Sequence, residues 1–473
     1  MKGLVGRGRE LGYLEALYLQ SGLKTCAVYG RRQVGKSTLL REFTKDKRTI
    51  FIQSSKQSGY ENMVRMRADI SQFLGKELPA IESFTEIMAM LERICKDEKT
   101  IIVFDEYPYL ISDAPYVPSI LQRFIDIDVK DTESMIIICG SSVSMMRDET
   151  EKMDRPLYGR FTNRLVVDPL DYRTCMEFHR NMSEIDALKV YMTVGGIPKY
   201  HQLMNCNTYE GCIKKCYLEQ TASLIDEGHA VISNELSPFE IYSGIIACIS
   251  DGAVKLSDIA QKMRLDRSSC KRYLNKMESL GFIGQPRPML GAPKRPIYKI
   301  DDNLISFHYE IIRRHGPMLS SRSIDQNKKY ALITNDISTF IGHRFEELCG
   351  QYIDTEYNVK ERGRWWGRVG TEDTDIDIVA FVYDDDLRIN TILAECKFRR
   401  QKTGFSALNS LTACASHIGC IVNEHYILFS ASGFEGKLEE FTEDHNVMLV
   451  DLDKLLGRSP PDKLDRKSGS FGP

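Results

Sequence analysis

The stretch TCAVYGRRQVGKSTLL, Thr25 to Leu40, constrains this chain more than any other. It reads as a short apolar strand, a glycine-bearing loop and the start of a helix. Gly30, Gly35, Lys36 and Ser37 satisfy the spacing G-x-x-x-x-G-K-[ST]. Glycines let the backbone N–H groups of such a loop wrap a phosphate, and the helix N-terminus adds positive potential. A lysine at this place reaches the β and γ phosphates, and the Ser37 hydroxyl faces a Mg²⁺ ion, with Thr38 next in the same binding set. The flanking strand and helix are the context that such a motif requires.

A second element is expected on a buried strand. KTIIVFDEYPYL, Lys99 to Leu110, supplies four apolar residues and then Asp105 and Glu106. Beside a phosphate loop, Asp105 is placed to hold the Mg²⁺, directly or through water. Glu106 is placed to orient or deprotonate the water that attacks ATP. A third apolar strand, SMIIICGSS, ends in Ser141 and Ser142. One of these hydroxyls either touches the γ phosphate or simply caps the strand end.

Together these pieces resemble the AAA+ superfamily, and within it the archaeal-type ATPases. LVGRGRELGYLEAL resembles that family's entry segment, and the resemblance implies that Val5, Gly6 and Arg7 lie near the adenine. RPLYGRFTNRLVVDPL resembles its P-L-Y-G-R segment, which makes Arg160 the candidate sensor of the γ phosphate, within one subunit or across a subunit boundary. A surface arginine is the alternative. GGIPKY matches the G-G-x-P of the helical lid, where Pro198 is implied to pack near the base. No separate lid arginine is assigned. The resemblance covers roughly residues 1 to 235.

From Pro238 the pattern changes to short amphipathic helices. In KLSDIAQKM, Leu256, Ile259, Ala260 and Met263 share one helical face, with Ser257 expected as the cap. In DRSSCKRYLNKMESLGF, Cys270, Tyr273, Leu274, Met277 and Leu280 face inward, with Asp266 as the cap. FIGQPRPMLGAPKRPIYKI then reads as two strands around a Pro- and Gly-rich loop, so a winged helix-turn-helix is expected. Lys255 to Lys299 holds eleven Lys or Arg against three Asp or Glu, in a chain whose net charge is −3. Such a local surplus suits DNA, with Arg267, Lys271 and Arg272 on the second helix and Arg287, Lys294 and Arg295 on the wing. A protein-docking module with a solvated basic face is the alternative.

Near the C-terminus, ILAECKFRR places a carboxylate and an ammonium within an apolar strand. Alternation puts Leu393, Glu395 and Lys397 on one face and Ala394, Cys396 and Phe398 on the other. A preceding strand, around Asp375 to Val382, forms a hairpin with it through the acidic turn Asp384 to Asp386. Asp377 can then lie beside Glu395, and two such carboxylates bind Mg²⁺ or Mn²⁺ through hard oxygens. Lys397 can neutralise a scissile phosphate or help to activate water. This arrangement resembles the PD-(D/E)xK nuclease superfamily and the nuclease-like domains joined to archaeal-type ATPases. The resemblance implies a helix glutamate, Glu346, with Glu347 as runner-up. A buried ion pair that only stabilises the strand is the alternative.

The expected architecture is α/β. It comprises a P-loop AAA+ core (1–170), a helical lid (171–236), a winged helix-turn-helix (237–300), a helical linker (301–335), a restriction-endonuclease-like α/β domain (336–457) and a disordered tail (458–473). The thirteen cysteines contain no C-x-x-C pair and read as core residues of a reduced, cytoplasmic protein. No apolar run approaches the roughly 20 residues of a membrane span. ATP and Mg²⁺ are the expected cofactors, and DNA, with a second copy or another protein, the expected partner. The function these features imply is a DNA-engaging ATPase with a nuclease-like domain gated by nucleotide state. The rival is a switch that does not cut, whose C-terminal domain only binds DNA or a protein.

Overall fold

The computed structural model describes residues 4–462 and 464, apart from 292–296, 370–371, 419–420 and 443–444. Lys294 and Arg295 therefore lie outside the described residues. The chain divides into two compact units, one of residues 1–174 and 196–200, the other of residues 175–195 and 201–473. The segment expected as a lid is thus shared between units: Pro198 belongs to the first and most of the segment to the second.

The first unit is built on five parallel strands: β1 (Lys24–Tyr29), β2 (Thr49–Gln53), β3 (Ile101–Asp105), β4 (Met135–Gly140) and β5 (Asn163–Val166). Their order is β2-β3-β4-β1-β5. β3 and β4 are buried along their whole length, as parallel strands covered on both faces must be, which is why they read as unbroken apolar runs. On one face Ile52, Phe104 and Ile138 pack against Met66, Ile70, Ile87 and Leu91 from the helices Gly59–Leu74 and Phe84–Asp97. All five strands point the same way, so the segments after β1, β3 and β4 meet at one edge of the sheet. That edge is where ligands of open α/β sheets bind.

In the second unit, helices Phe239–Ser250, Leu256–Met263 and Arg267–Ser279 precede the short antiparallel pair β6 (Ile283–Gly284) and β7 (Lys299–Ile300). Ile245, Ile259, Cys270, Leu274, Met277 and Ile300 share one core. Asp266 caps the third helix by accepting from the Ser269 N–H at 2.9 Å. Ser257 does not cap the second. The helix starts at Leu256 with Lys255 at its N-cap position, so Ser257 lies inside the first turn and its hydroxyl donates to Asp258.

A 31-residue helix, Gln326–Glu356, leads into a five-stranded mixed sheet. Its strands are β8 (Asn358–Val369), β9 (Glu372–Tyr383), β10 (Ile389–Lys397), β11 (Glu424–Ser430) and β12 (Val447–Val450), in the order β12-β11-β10-β9-β8. β8, β9 and β10 run antiparallel, and β10, β11 and β12 parallel. The long helix covers one face, with Phe345 against Phe398 and Tyr352 against Phe429 at ring separations of 5.1 and 5.6 Å. Helix Phe405–Ser416 covers the other, where Leu408 and Leu411 cluster with Val379, Leu393 and Leu428.

Two boundaries differ from the sequence reading. The long helix begins inside the expected linker, at Gln326, capped by Asp325, which accepts from the N–H groups of Asn327 and Lys328. The first residues of the expected tail are anchored: Asp462 pairs with Lys454 at 2.8 Å, and Arg458 pairs with Glu184 and Asp453. Among the described residues no helix is long and apolar enough to cross a membrane.

Candidate functional site

Gly30 follows β1 directly, and Gly35 precedes helix Lys36–Thr44 with φ +101°, a conformation that glycine adopts without a Cβ penalty. Lys36 is buried, and its ammonium donates to the carbonyls of Gly30 and Arg31 at 2.8 and 2.9 Å. The lysine charge therefore sits inside the loop. Ser37 and Thr38 follow it in the first helical turn. Arg7 is buried and donates to the Val34 carbonyl at 2.9 Å, which ties the Val5–Gly6–Arg7 entry segment to the phosphate loop. Pro198 begins the helix Pro198–Leu203.

β4 lies between β1 and β3, so its end stands between the phosphate loop and the acidic pair. Asp105 is wholly buried, and its Oδ2 has no hydrogen-bond partner. An orphaned carboxylate oxygen at such a place fits a magnesium ion bound directly or through water. Glu106 has φ +53°, rare for a residue with a side chain and a form of strain that clusters at functional sites. Ser141 Oγ donates to Glu106 Oε2 at 2.9 Å. The structure thus gives Ser141 a contact that the sequence reading missed: it holds the Glu106 carboxylate.

Arg160 is placed differently from its neighbours in the expected set. Its carbonyl accepts from Thr25 Oγ1 at the start of β1, whereas the phosphate loop leaves the far end of that strand. Five strand residues separate them, about 16 Å. Its guanidinium is engaged by Asp126, with Nη2 to Oδ2 at 3.0 Å. The within-subunit role is therefore corrected: Arg160 is too far from its own phosphate loop.

The second cluster lies in a cleft of about 700 Å³ whose walls include Glu346, Arg364, Asp375, Asp377, Glu395 and Lys397. β9 and β10 pair up to Ile378 and Ala394, which leaves Asp377 next to Glu395. Asp377 Oδ2 accepts from the Cys396 N–H at 2.9 Å, and Lys397 ion-pairs with Glu395. Glu346 faces this group, whereas Glu347 is taken by Lys299. Burial pushes Glu346 up to about 7, against the pull of the Arg364 charge. Burial also raises Asp377 and Glu395, the latter further through the Asp377 charge.

Arg364 went unnoticed in the sequence. Its Nη1 meets Glu346 at 2.9 Å, and its Nη2 meets Asp375 at 2.8 Å and Asp377 at 3.7 Å. Among the described residues no three His, Cys, Asp or Glu side chains form a ready metal cluster. Asp377 and Glu395 offer two carboxylates, which suits Mg²⁺ or Mn²⁺ that keeps several waters or takes substrate phosphate oxygens.

Comparison with known proteins bears on both clusters. The family described as "ATPase domain predominantly from Archaea" matches residues 4–203. Residues 4–203 are thus similar to an archaeal ATPase family. The Walker-type ATPase of Pyrococcus abyssi shares its fold, covering 65% of this chain and 96% of its own length at 20% identity and a TM-score of 0.50. A second family, of archaeal and bacterial proteins of unknown function, matches residues 309–407, which include Glu346, Arg364, Asp375, Asp377, Glu395 and Lys397 of the cleft. Two uncharacterized proteins of Methanocaldococcus jannaschii are also similar. One is 25% identical across 95% of this chain and 99% of its own length. The other is 34% identical across 17% of this chain and 82% of its own.

The Ser141–Glu106 contact has a measurable consequence. Ser141→Ala should leave the Kd for ATP near the wild-type value and slow hydrolysis by about ten- to a hundredfold, the worth of a hydrogen bond to a charged group. Equilibrium nucleotide binding and steady-state turnover separate the two effects.

The basic residues of the helical module divide into two groups. Arg267, Lys271 and Arg272 are exposed on helix Arg267–Ser279, with the Arg272 guanidinium 5.5 Å from the Tyr273 ring centre. Arg287 pairs with Glu361 of β8 at 2.6 Å, with its side chain still largely exposed.

Proposed function

We propose that this ATPase is a nucleotide-gated, DNA-engaging protein with a metal-dependent nuclease-like site. The observation that carries the reading is the convergence of Asp377, Glu395, Lys397 and Glu346 in one cleft. A divalent ion held by Asp377 and Glu395 would supply Lewis acidity at a scissile phosphate. Lys397, beside them, brings positive charge to that phosphate. Glu346, pushed up to about 7, holds or releases a proton at the cleft wall near neutral pH. At the other site, Lys36 holds the β and γ phosphates, Asp105 and Ser37 hold Mg²⁺, and Glu106 orients water. Arg160 completes the site of a neighbouring subunit.

DNA is engaged through the helix that carries Arg267, Lys271 and Arg272, which acts as the second helix of a winged helix-turn-helix. Replacing Lys271 and Arg272 by alanine should weaken DNA binding. Each lost phosphate contact should flatten the plot of log K against log salt by about one unit. Unchanged affinity and slope in a fluorescence-anisotropy titration would assign the helix to packing.

A second reading is favoured by Arg364, which already pairs with three carboxylates. On that reading the C-terminal domain cuts nothing and only binds DNA or a protein partner. Calorimetric titration with Mn²⁺ separates the two. Binding that Asp377→Ala removes supports the metal site, and no binding by the wild type supports the second reading.

A further inference from the structure

The connection between β6 and β7 does more than join them. Residues Arg287 to Met289 run along the outer edge of β8, where Arg364 donates its N–H to the Arg287 carbonyl and the Met289 N–H donates to the Arg364 carbonyl, both at 2.9 Å. Gly363 makes this approach feasible, because a Cβ there would lie 2.2 Å from the Arg287 oxygen. Met289 is buried in the core of the C-terminal sheet, and Arg287 pairs with Glu361. Arg364 also stands at an irregularity. Gly363 pairs with Val379 and Trp365 with Ile376, so Asp377 and Ile378 together face the single residue Arg364. Bulges of this kind re-aim side chains and are frequent beside active sites.

We infer that Arg364 is the positioning residue through which the β6–β7 connection controls the acidic cleft. The connection fixes the Arg364 backbone at the bulge, and the bulge aims its guanidinium at Glu346, Asp375 and Asp377. In that position it stands in for a cation. A divalent ion at Asp377 and Glu395 must compete with this charge, and it gains Glu346 as a further oxygen donor only when Arg364 withdraws. Loosening the connection therefore favours the ion, and the ion loosens the connection. Linkage requires the two effects to be equal in size.

The inference rests on the metal-site reading of Asp377 and Glu395, and the test separates the two. Mn²⁺ alone is titrated into the full chain, and hydrogen exchange is followed at the Met289 and Arg364 amides. Arg364→Gln should bind Mn²⁺ roughly five- to a hundredfold more tightly than the wild type, the usual span of coupling between two sites. In the wild type, saturating Mn²⁺ should speed exchange at both amides, and Asp377→Ala should abolish that response. The exchange measurement needs only the wild-type fold, so a misfolded Arg364→Gln does not remove the test. Mn²⁺ that binds with equal affinity to both proteins and leaves exchange unchanged overturns the role of Arg364 and leaves the metal site standing. Failure of both proteins to bind Mn²⁺ overturns the metal site, and the role of Arg364 with it.

Discussion

Glu106→Gln is expected to keep ATP bound and to hydrolyse it on the order of 10²–10⁴-fold more slowly, the usual contribution of a positioned base. The carboxylate stands at the end of β3, held by Ser141 from the strand between it and the phosphate loop. The amide keeps the shape and loses the charge, so binding survives while the water is no longer oriented. Lys36→Ala fails one step earlier. It removes the cation buried in the loop, and nucleotide binding itself should fall below detection in a titration that the wild type saturates. If Lys36→Ala turns over ATP at the wild-type rate, the phosphate-loop assignment is wrong.

Arg160→Ala should lower turnover by roughly 10³–10⁵-fold, the range for an arginine that stabilises the charge of phosphoryl transfer from across an interface. Arg160 sits at the opposite end of β1 from its own phosphate loop, and on the proposed function it acts on another subunit. Two consequences follow from that geometry. Wild-type turnover per subunit rises with protein concentration. Mixing Arg160→Ala with Lys36→Ala, each inactive alone, restores part of the rate, because the second supplies the arginine that the first lacks. A rate independent of concentration, with no recovery on mixing, would return Arg160 to a surface ion pair with Asp126.

The ATP end was legible because its residue types are dictated by chemistry over a few adjacent positions. Gly35, Lys36, Asp105 and Glu106 each follow from what a phosphate loop and its magnesium require, and β3 and β4 announce themselves as apolar runs. The hairpin of β9 and β10 was legible from alternation, which placed Glu395 and Lys397 on one face. What escaped depended on contacts distant in sequence. Arg364 acquires its partners only through the register of β8 against β9 and an irregularity there. The pairing of Arg287 with Glu361 also depends on the β6–β7 connection reaching β8. The expected boundary between linker and domain at residue 335 falls inside the helix Gln326–Glu356, where Thr334, Ser338 and Thr339 do not break it. Instead, their hydroxyls donate to the carbonyls of Tyr330, Thr334 and Asn335, four residues back, and the helix runs through them.

Plasmid cleavage reads out the proposed gating of the acidic cleft by nucleotide. Supercoiled DNA is incubated with the full chain and Mg²⁺ or Mn²⁺, with and without ATP, beside Asp377→Ala and Lys36→Ala. The wild type should nick the plasmid only with the metal, to an extent that changes with nucleotide. Asp377→Ala should lose the nicking and keep its ATP hydrolysis, and Lys36→Ala should lose the response to ATP. A wild type that hydrolyses ATP yet leaves the plasmid intact with either metal, in every nucleotide state, would contradict the proposed function.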